Sequence, residues 1–305
     1  MARTSGSTVS ESTVSESTRG VALGLVAYSM WGLFPLFFAL FDGVPALEIL
    51  AHRVLWSCLF LALVICVLRR WAPIRDALAH PRRLGRVLCC AILIALNWGL
   101  YIYAVETQHV LQASLGYFMT PLVNVALGML VLKERITPMQ GTAIVLALLA
   151  IGVQLVQLGS LPWISCTLAV SFGTYGLLRK QVQLDGLSGL LVETLLLLPL
   201  ALLLIGGLVW TGASHFDGLT GTSGLLIGSG ILTAIPLLAF AGAARRLTLG
   251  TIGFLMYINP SLQFAVAVWV FDEPLQLEQL ITFALIWIGL LFYSISAWRQ
   301  PRTTG

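Results

Sequence analysis

The chain has 305 residues, of which 58% are apolar and 10% are charged, and its mean hydropathy is +0.93. A soluble domain needs about 25% charged residues to cover its surface, so this composition excludes a soluble domain, and with it a disordered or collagen-like chain. The net charge of +4 is spread over short gaps between apolar runs. Such spreading makes no continuous basic face and excludes nucleic acid as a partner.

The first 19 residues are rich in Ser and Thr and contain a tandem repeat, residues 7–11 followed by residues 12–16. A polar segment of this kind buries too little apolar surface to fold. We therefore expect a disordered cytoplasmic tail over residues 1–19 and a second short tail over residues 299–305.

Apolar runs bounded by charges, Pro or Gly divide the rest of the chain into ten segments, each long enough to cross a bilayer as a helix. The predicted spans are 20–41, 47–69, 85–105, 110–132, 137–158, 161–179, 187–208, 222–243, 247–271 and 276–298. The sequence thus predicts an all-α integral membrane protein of ten transmembrane helices.

Basic residues fall on one side of these ten spans. Sixteen of the 17 Lys and Arg lie there, namely Arg3, Arg19, Arg69, Arg70, Arg75, Arg82, Arg83, Arg86, Lys133, Arg135, Arg179, Lys180, Arg245, Arg246, Arg299 and Arg302. The remaining one, Arg53, lies within the second span. Because positive charge stays on the cytoplasmic side, we expect a multi-pass protein of the plasma (inner) membrane with both termini in the cytoplasm.

The fourth and ninth spans share a motif. In each, an apolar and aromatic pentapeptide with glycine at its second position precedes a proline; the pentapeptides are residues 115–119 and 252–256. Each proline lies 13 residues before a glutamate, Glu134 (134 − 121) or Glu273 (273 − 260). Since each half holds five spans, the second half enters from the opposite side, which predicts an inverted repeat of residues 20–158 and 161–298. The predicted helix breaks that mark a site are Gly116, Pro121, Gly253 and Pro260. The alternative interpretation is that the prolines only kink helices for packing.

Four segments carry a family resemblance: residues 47–53 (LEILAHR), 97–101 (NWGLY), 115–118 (LGYF) and the Lys133-Glu134-Arg135 loop. Together they resemble the RarD permeases, in the EamA group of the drug/metabolite transporter superfamily, and the similarity runs over about residues 20–298.

The resemblance implies a ten-helix inner-membrane permease made of two EamA repeats, with a central cavity and no ATP-hydrolysing domain. The superfamily that the chain resembles includes exporters of amino acids and other metabolites. The RarD name is tied to chloramphenicol sensitivity. One position departs from the expected pattern: Thr120 precedes the proline of the fourth span, whereas the second half keeps Asn259 before Pro260.

Ionisable residues inside a span are costly and therefore informative. His52 and Arg53 lie about six residues from the outer end of the second span. Arg53 either extends to the outer headgroups or lines the outer half of a cavity and attracts an anionic group.

Glu193 lies about six residues into the seventh span, in the inner half of the membrane, so we expect no direct pairing with Arg53. Three roles stay open for it: a hydrogen bond to a neighbour, a protonated buried carboxyl, or the proton site of a coupled carrier.

Uncharged polar and aromatic residues of the spans are the substrate-binding candidates, since rings and a few amides suit a small amphipathic solute. They are Tyr28, Trp31, Asn97, Tyr101, Tyr117, Asn124, Tyr175, Tyr257, Asn259 and Gln263. Packing without any substrate contact is the alternative for each.

The spans carry neither a catalytic constellation nor a phosphate-binding motif, and the five cysteines all fall in apolar runs. We therefore expect no enzyme activity, no metal and no cofactor. The sequence favours a secondary permease for a small solute, with export as the expected direction. It works as a monomer or homodimer, with protons as a candidate coupling ion. A gated channel and a non-transporting receptor or assembly protein are the alternatives.

Overall fold

Lipid offers no partners to backbone amides, so long apolar runs satisfy them internally as helices. The computed structural model describes residues 7–299 except 132, 134–136, 159–160, 183, 219–220, 245 and 248–254. Within these residues twelve helices and no strands are present, which confirms the all-α prediction. In chain order they are α1 (Ser7–Gly32), α2 (Phe34–Phe38), α3 (Ala46–Leu68), α4 (Ala72–Ala79), α5 (Pro81–Glu106), α6 (Val110–Val131), α7 (Pro138–Leu158), α8 (Trp163–Val182), α9 (Gly186–Thr211), α10 (Gly221–Ala244), α11 (Ile258–Trp269) and α12 (Leu277–Arg299).

Six of the described helices are long and apolar enough to cross a membrane: α3, α5, α6, α9, α10 and α12. Predicted bounds agree closely with the observed ones, as for 47–69 against Ala46–Leu68 and 110–132 against Val110–Val131. The count of ten spans stays a prediction.

The first predicted span, 20–41, is not one helix. It consists of α1 and α2, which are separated at Leu33. Pro35 lies in the first turn of α2, where its missing N–H costs no hydrogen bond, but the same ring cannot continue α1.

The segment expected to be a disordered tail is helical from Ser7 onward, so this expectation is wrong for residues 7–19. Extending an existing helix adds one hydrogen bond for each residue fixed and needs no new nucleus. Glu16 also accepts a hydrogen bond from Arg246 Nε at 2.7 Å, which ties this extension to the residues after α10. The pair lies outside the apolar zone.

A short helix, α4, occupies the connection that the sequence analysis treats as a loop. Pro73 falls in its first turn, and Ile74 and Ala77 are buried against α5 and α9. Only one face of α4 is apolar, so its sequence lacks the long run that signals a span.

The predicted helix break at Pro121 is not observed, because α6 runs without interruption from Val110 to Val131. A proline removes one backbone hydrogen bond, and the remaining bonds of α6 persist around it. Thr120 Oγ1 also donates to the carbonyl of Gly116 at 3.2 Å. Gly116 serves close packing: a Cβ there would lie 2.8 Å from the carbonyl oxygen of Ser165 on α8.

In the second half, Pro260 is the third residue of α11, so the interruption there is a helix start. Its carbonyl accepts a hydrogen bond from Ser114 Oγ of α6 at 2.8 Å. Gly253 lies outside the described residues.

Helices of the two halves alternate in space. The principal contacts join α1 to α10 and α11, α3 to α9 and α10, α5 to α8, α6 to α8 and α11, and α7 to α12. The buried side chains are therefore mostly shared between halves, as in the cluster that includes Phe118, Leu168 and Phe283.

Two ends of the bundle are defined by charged contacts. At the basic end, Arg70 after α3 pairs with Asp185 before α9 (Nη2–Oδ2, 3.4 Å). At the acidic end, Glu48 at the start of α3 binds Ser214 and His215, which follow α9. The two contacts show that α3 and α9 run antiparallel.

Candidate functional site

A cavity of about 410 Å³ lies between the helices of both halves. Its wall is mainly aromatic, with a few amides, hydroxyls and two guanidinium groups. The lining residues are Tyr28, Trp31, Phe34, Arg53, Ile94, Asn97, Trp98, Tyr101, Tyr117, Thr120, Phe172, Tyr175, Arg179, Leu184, Gly186, Leu190, Thr233, Leu237, Phe240, Met256, Tyr257, Asn259, Pro260 and Gln263.

Most of the substrate-binding candidates meet at this cavity. Nine of the ten line it: Tyr28, Trp31, Asn97, Tyr101, Tyr117, Tyr175, Tyr257, Asn259 and Gln263. The tenth, Asn124, is exposed on α6 and is not part of the lining. Asn124 lies on the same face of α6 as Thr120 but one turn, about 6 Å, further along the helix axis.

Two groups of rings form the aromatic wall. Trp31 contacts Tyr28 and Phe240, with ring centroids 5.5 and 5.9 Å away. In the other group, Phe172 stacks on Tyr175 at 6.0 Å and meets the edge of Tyr117 at 6.1 Å; these three rings come from α8 and α6. A cavity with such walls suits a flat or apolar solute.

Arg53 lines the cavity and is only 3% exposed. Its Nε donates to Thr233 Oγ1 at 2.7 Å, and its guanidinium carbon lies 4.1 Å from the centroid of the Trp98 ring. The rings of Phe38 and Phe34 lie further away, at 5.4 and 5.8 Å. Of the two interpretations of Arg53, extension to the headgroups is therefore wrong, because the side chain turns inward.

His52, the neighbour of Arg53, points elsewhere and does not line the cavity. Its ring stacks on Phe216 at 5.0 Å, and its Nδ1 accepts a hydrogen bond from Trp56 Nε1 at 3.3 Å. Adjacent residues of a helix point about 100° apart, which explains why only one of the two faces the cavity.

Glu193 is fully buried behind the cavity wall and pairs with two lining residues of α8. Arg179 Nη1 lies 3.5 Å from its Oε1, and Tyr175 OH donates to its Oε2 at 3.2 Å. From their depths we expect no ion pair between Glu193 and Arg53, and the partners of Glu193 among the described residues are Arg179 and Tyr175. Arg179 also donates to the carbonyl of Asp185 at 2.9 Å.

Gly189 makes room for this ion pair. It lies one turn before Glu193 on α9, and a Cβ at this position would overlap the guanidinium of Arg179. With a larger residue at this position, the Arg179 guanidinium would have to shift from where it meets the carboxylate.

Asn97 uses its whole amide in contacts with the protein. Its Nδ2 donates to the carbonyl of Leu168 at 3.1 Å and to Ser171 Oγ at 3.0 Å, and its Oδ1 accepts from Tyr117 OH at 3.1 Å. Asn97 thereby joins α5, α6 and α8 and fixes the orientation of the Tyr117 ring at the cavity.

Gln263 and Asn259 form a second polar pair on the wall. Gln263 Nε2 donates to Asn259 Oδ1 at 2.8 Å and approaches the carbonyl of Trp31 at 3.5 Å. The Oε1 atom of Gln263 is buried, and none of the described residues donates to it.

Carboxylates bind backbone groups at the acidic end of the bundle. Glu273 accepts from the N–H groups of Val110 and Leu111, at 2.6 and 2.9 Å, which satisfies the first turn of α6. Burial raises the pKa of the Glu273 carboxyl, although these two N–H groups oppose the shift. Glu106 accepts from the N–H of Ala46 at 3.2 Å. These contacts hold the connections together at this end of the bundle.

Toward the basic end the cavity wall reaches the start of α9, at Leu184, Gly186 and Leu190. Asp185 caps this helix and accepts from the N–H of Ser188 at 3.1 Å. Burial alone would raise the pKa of Asp185, but hydrogen bonds from Ser188 and the charge of Arg70 outweigh it and hold the pKa below its ordinary value.

Sequence reasoning missed several lining residues, above all Arg179, Trp98, Thr233 and Phe240. Arg179 ends the sixth predicted span, so its charge counts there among those of the cytoplasmic side. Trp98 lies inside the NWGLY segment, so the interruption of an apolar run by three polar or aromatic residues was an available signal. The sequence offers no comparable signal for Thr233 or Phe240.

Comparison with known proteins agrees with this architecture. The EamA-like transporter family matches residues 18–155. An uncharacterized transporter of Vibrio cholerae is 44% identical over 278 residues, covering 91% of this chain and 92% of the relative. The protein RarD of Salmonella typhimurium is 44% identical over 280 residues, covering 92% and 95% of the two chains.

A solved crystal structure has a similar fold, with a TM-score of 0.58 at 15% sequence identity, covering 93% of this chain and 99% of the other. The helices, the cavity and the relatives define the class: a multi-pass membrane transporter. The chain belongs to the EamA-like transporter family, among the RarD proteins.

Proposed function

We propose that this protein is a secondary permease that moves a small metabolite or drug-like solute across the plasma membrane by alternating access. The observation that carries the proposal is the cavity of about 410 Å³, which lies between helices of both halves and reaches the start of α9. None of its described lining residues belongs to the connections at the acidic end. A site enclosed between two bundles can face one side of the membrane at a time.

An inverted repeat of two five-helix halves explains the helix contacts. Exchange of the halves equates α1 with α8, α3 with α9, α5 with α10, α6 with α11 and α7 with α12. Under this exchange the contact of α1 with α10 becomes that of α8 with α5, and the contact of α6 with α8 becomes that of α11 with α1; all four are present. The contacts of α3 with α9 and of α7 with α12 are unchanged. This regularity supports two halves related by a pseudo-two-fold axis.

Export is the proposed direction of transport, and the distribution of charge supports it. The positive-inside rule assigns the basic end to the cytoplasm, together with both termini. The cavity then extends toward the cytoplasmic end of the bundle, at Leu184 and Gly186, where a solute from inside the cell could enter. Export is the direction that this arrangement favours.

Protons are the proposed coupling ion, and Glu193 is their proposed site. The carboxyl is buried and contacts two cavity residues, Tyr175 and Arg179. A change in its charge would therefore change the ion pair beside the site.

Counterflow in proteoliposomes tests the proposal. Purified protein is reconstituted in vesicles preloaded with a pool of amino acids, aromatic metabolites, nucleobases and chloramphenicol, and uptake of each labelled compound is measured. We expect saturable uptake that depends on the unlabelled compound inside. Flux that neither saturates nor responds to the internal compound would indicate a gated channel. No flux from folded, inserted protein would favour a non-transporting receptor or assembly protein.

A further inference from the structure

The cavity contains a positive charge that the protein does not neutralise. Arg53 has no Asp or Glu within ion-pair distance among the described residues, although its side chain is 3% exposed. An isolated charge in an apolar bundle is costly, and proteins normally pair such a group or use it. The second guanidinium of the cavity, that of Arg179, faces Glu193 and is compensated.

The existing contacts of Arg53 leave part of its guanidinium free. Thr233 Oγ1 accepts a hydrogen bond from Nε, and the ring of Trp98 covers one face of the guanidinium. The Nη1 group is buried, and none of the described residues accepts a hydrogen bond from it. The guanidinium is held in place through Nε and through one face, and its Nη1 group remains free to donate. Such a group can bind an anion.

A second free donor lies beside it. Tyr101 OH is buried, lines the cavity and has no hydrogen-bond partner in the described part of the chain. Arg53 and Tyr101 both contact the Phe38 ring, with the guanidinium carbon 5.4 Å and the Tyr101 centroid 6.0 Å from its centre. The two oxygens of one carboxylate can accept one hydrogen bond from each donor.

The rest of the cavity wall indicates the chemistry of the part of the ligand that is not the carboxylate. Away from Arg53 the wall includes the rings of Trp31, Phe240, Phe172 and Tyr175, and none of the described lining residues is an Asp or Glu. An ammonium group would therefore find no carboxylate to pair with, whereas an apolar or aromatic body would pack on the rings.

We propose that the cavity binds organic monocarboxylates with an apolar or aromatic body, with the carboxylate held by Arg53 and Tyr101. This inference rests on the proposed function and names its substrate class. A single uncompensated guanidinium matches one negative charge, and a cavity of about 410 Å³ lies at the small end of the range for ligand sites.

Matched probes test the inference on the purified full-length protein. Benzoate, phenylacetate, 3-phenylpropionate and hexanoate are each compared with their neutral amides, and 3-phenylpropylamine serves as the cation. A ligand that binds only the folded state raises Tm with concentration. We expect at least one carboxylate to raise Tm with an apparent affinity at least about tenfold higher than that of its amide, and no response to the amine. Equal responses to acid and amide across the panel, or a response to the amine, would overturn the inference.

Variants assign the effect to Arg53. Arg53→Met should lose the preference for carboxylate over amide, Arg53→Lys should retain part of it, and Arg75→Met, which removes an exposed arginine of α4, should behave as wild type. If Arg53→Met does not fold, as judged by size-exclusion chromatography, the acid and amide pairs on wild type and Arg53→Lys still decide. An unchanged preference in folded Arg53→Met would overturn the assignment.

Counterflow with the same probes separates this inference from the proposed function. Carboxylates that bind but do not exchange would leave the inference standing and contradict the permease. Exchange of amides or amines in preference to carboxylates would support the permease and overturn the inference.

Discussion

Arg53 and Glu193 occupy equivalent positions in two helices that pack against each other. Each is the eighth residue after the N-cap of its helix, Pro45 for α3 (53 − 45) and Asp185 for α9 (193 − 185). Both are buried, and because α3 and α9 are antiparallel they lie at different depths. The same position thus holds a cation facing the cavity in one half and an anion behind its wall in the other.

Replacing Glu193 by Gln should remove any dependence of transport on a pH gradient while leaving binding intact. The Gln side chain still accepts the hydrogen bond from Tyr175 but cannot release a proton or change its charge. Uptake into proteoliposomes with and without an imposed pH gradient measures the effect. Glu106→Gln, at an exposed carboxylate of the acidic end, is the matched control. A pH response in Glu193→Gln equal to that of wild type would remove Glu193 from the proton role.

Gly189→Ala should destabilise the protein by about 1–3 kcal/mol, since a Cβ would overlap the Arg179 guanidinium and force it off Glu193. Gly207→Ala, on the same helix with no atom within 4 Å of the added Cβ, should be neutral or stabilising by up to about 1 kcal/mol. Thermal unfolding in detergent compares the two. Equal effects would show that Arg179 accommodates the methyl group by moving aside at no cost.

Asn97→Ala should cost about 1–3 kcal/mol, because it leaves Tyr117 OH without its acceptor inside the bundle and removes one of the two side-chain donors to the carbonyl of Leu168. It should also weaken substrate binding, because the Tyr117 ring loses its anchor. Asn124→Ala, at an exposed amide of α6, is the control and should change neither quantity. Unfolding curves and counterflow affinity for the two variants give the answer, and a folded Asn97→Ala protein with wild-type values for both would contradict the assignment.

Asp185→Asn tests the cap of α9 through its pH dependence. The pKa of Asp185 is held below its ordinary value of 3.8, so its charge stabilises the folded state above that value, and the stabilisation is lost as the pH falls through the lowered pKa. Asn keeps the capping hydrogen bond but not the charge. Wild type should therefore be the more stable protein at neutral pH, and the difference should vanish in strong acid. A difference that does not change with pH would show that the charge contributes nothing.

The sequence specified the helices well because lipid imposes a simple rule: an apolar run of sufficient length must be helical. It failed where local chemistry competes with that rule. Pro35 divides the first span, α4 is too short and too amphipathic to register as a run, and helix propagation extends α1 to Ser7.

For the cavity, residue type was a better guide than motif. Polar and aromatic residues inside apolar runs, such as Gln263 and Tyr175, do line the cavity, whereas Pro121 leaves α6 unbroken. The sequence could not reveal which side chains satisfy one another. The pairing of Asn97 with Tyr117, and of Arg179 with Glu193, depends on contacts between helices that only the packed structure defines.

Alternating access requires that the cavity opens to each side of the membrane in turn. The most direct test places a single cysteine at Thr120, a buried lining residue, in a chain whose five native cysteines are replaced by alanine. Its reaction with a membrane-impermeant thiol reagent is then measured from each side. Alternating access predicts reaction from both sides. It also predicts loss of reaction from the acidic end alone when a short linker joins cysteines introduced at Glu48 and Ser214, whose side chains are 3.2 Å apart. Reaction from one side only, under every condition of solute and pH gradient, would contradict alternating access.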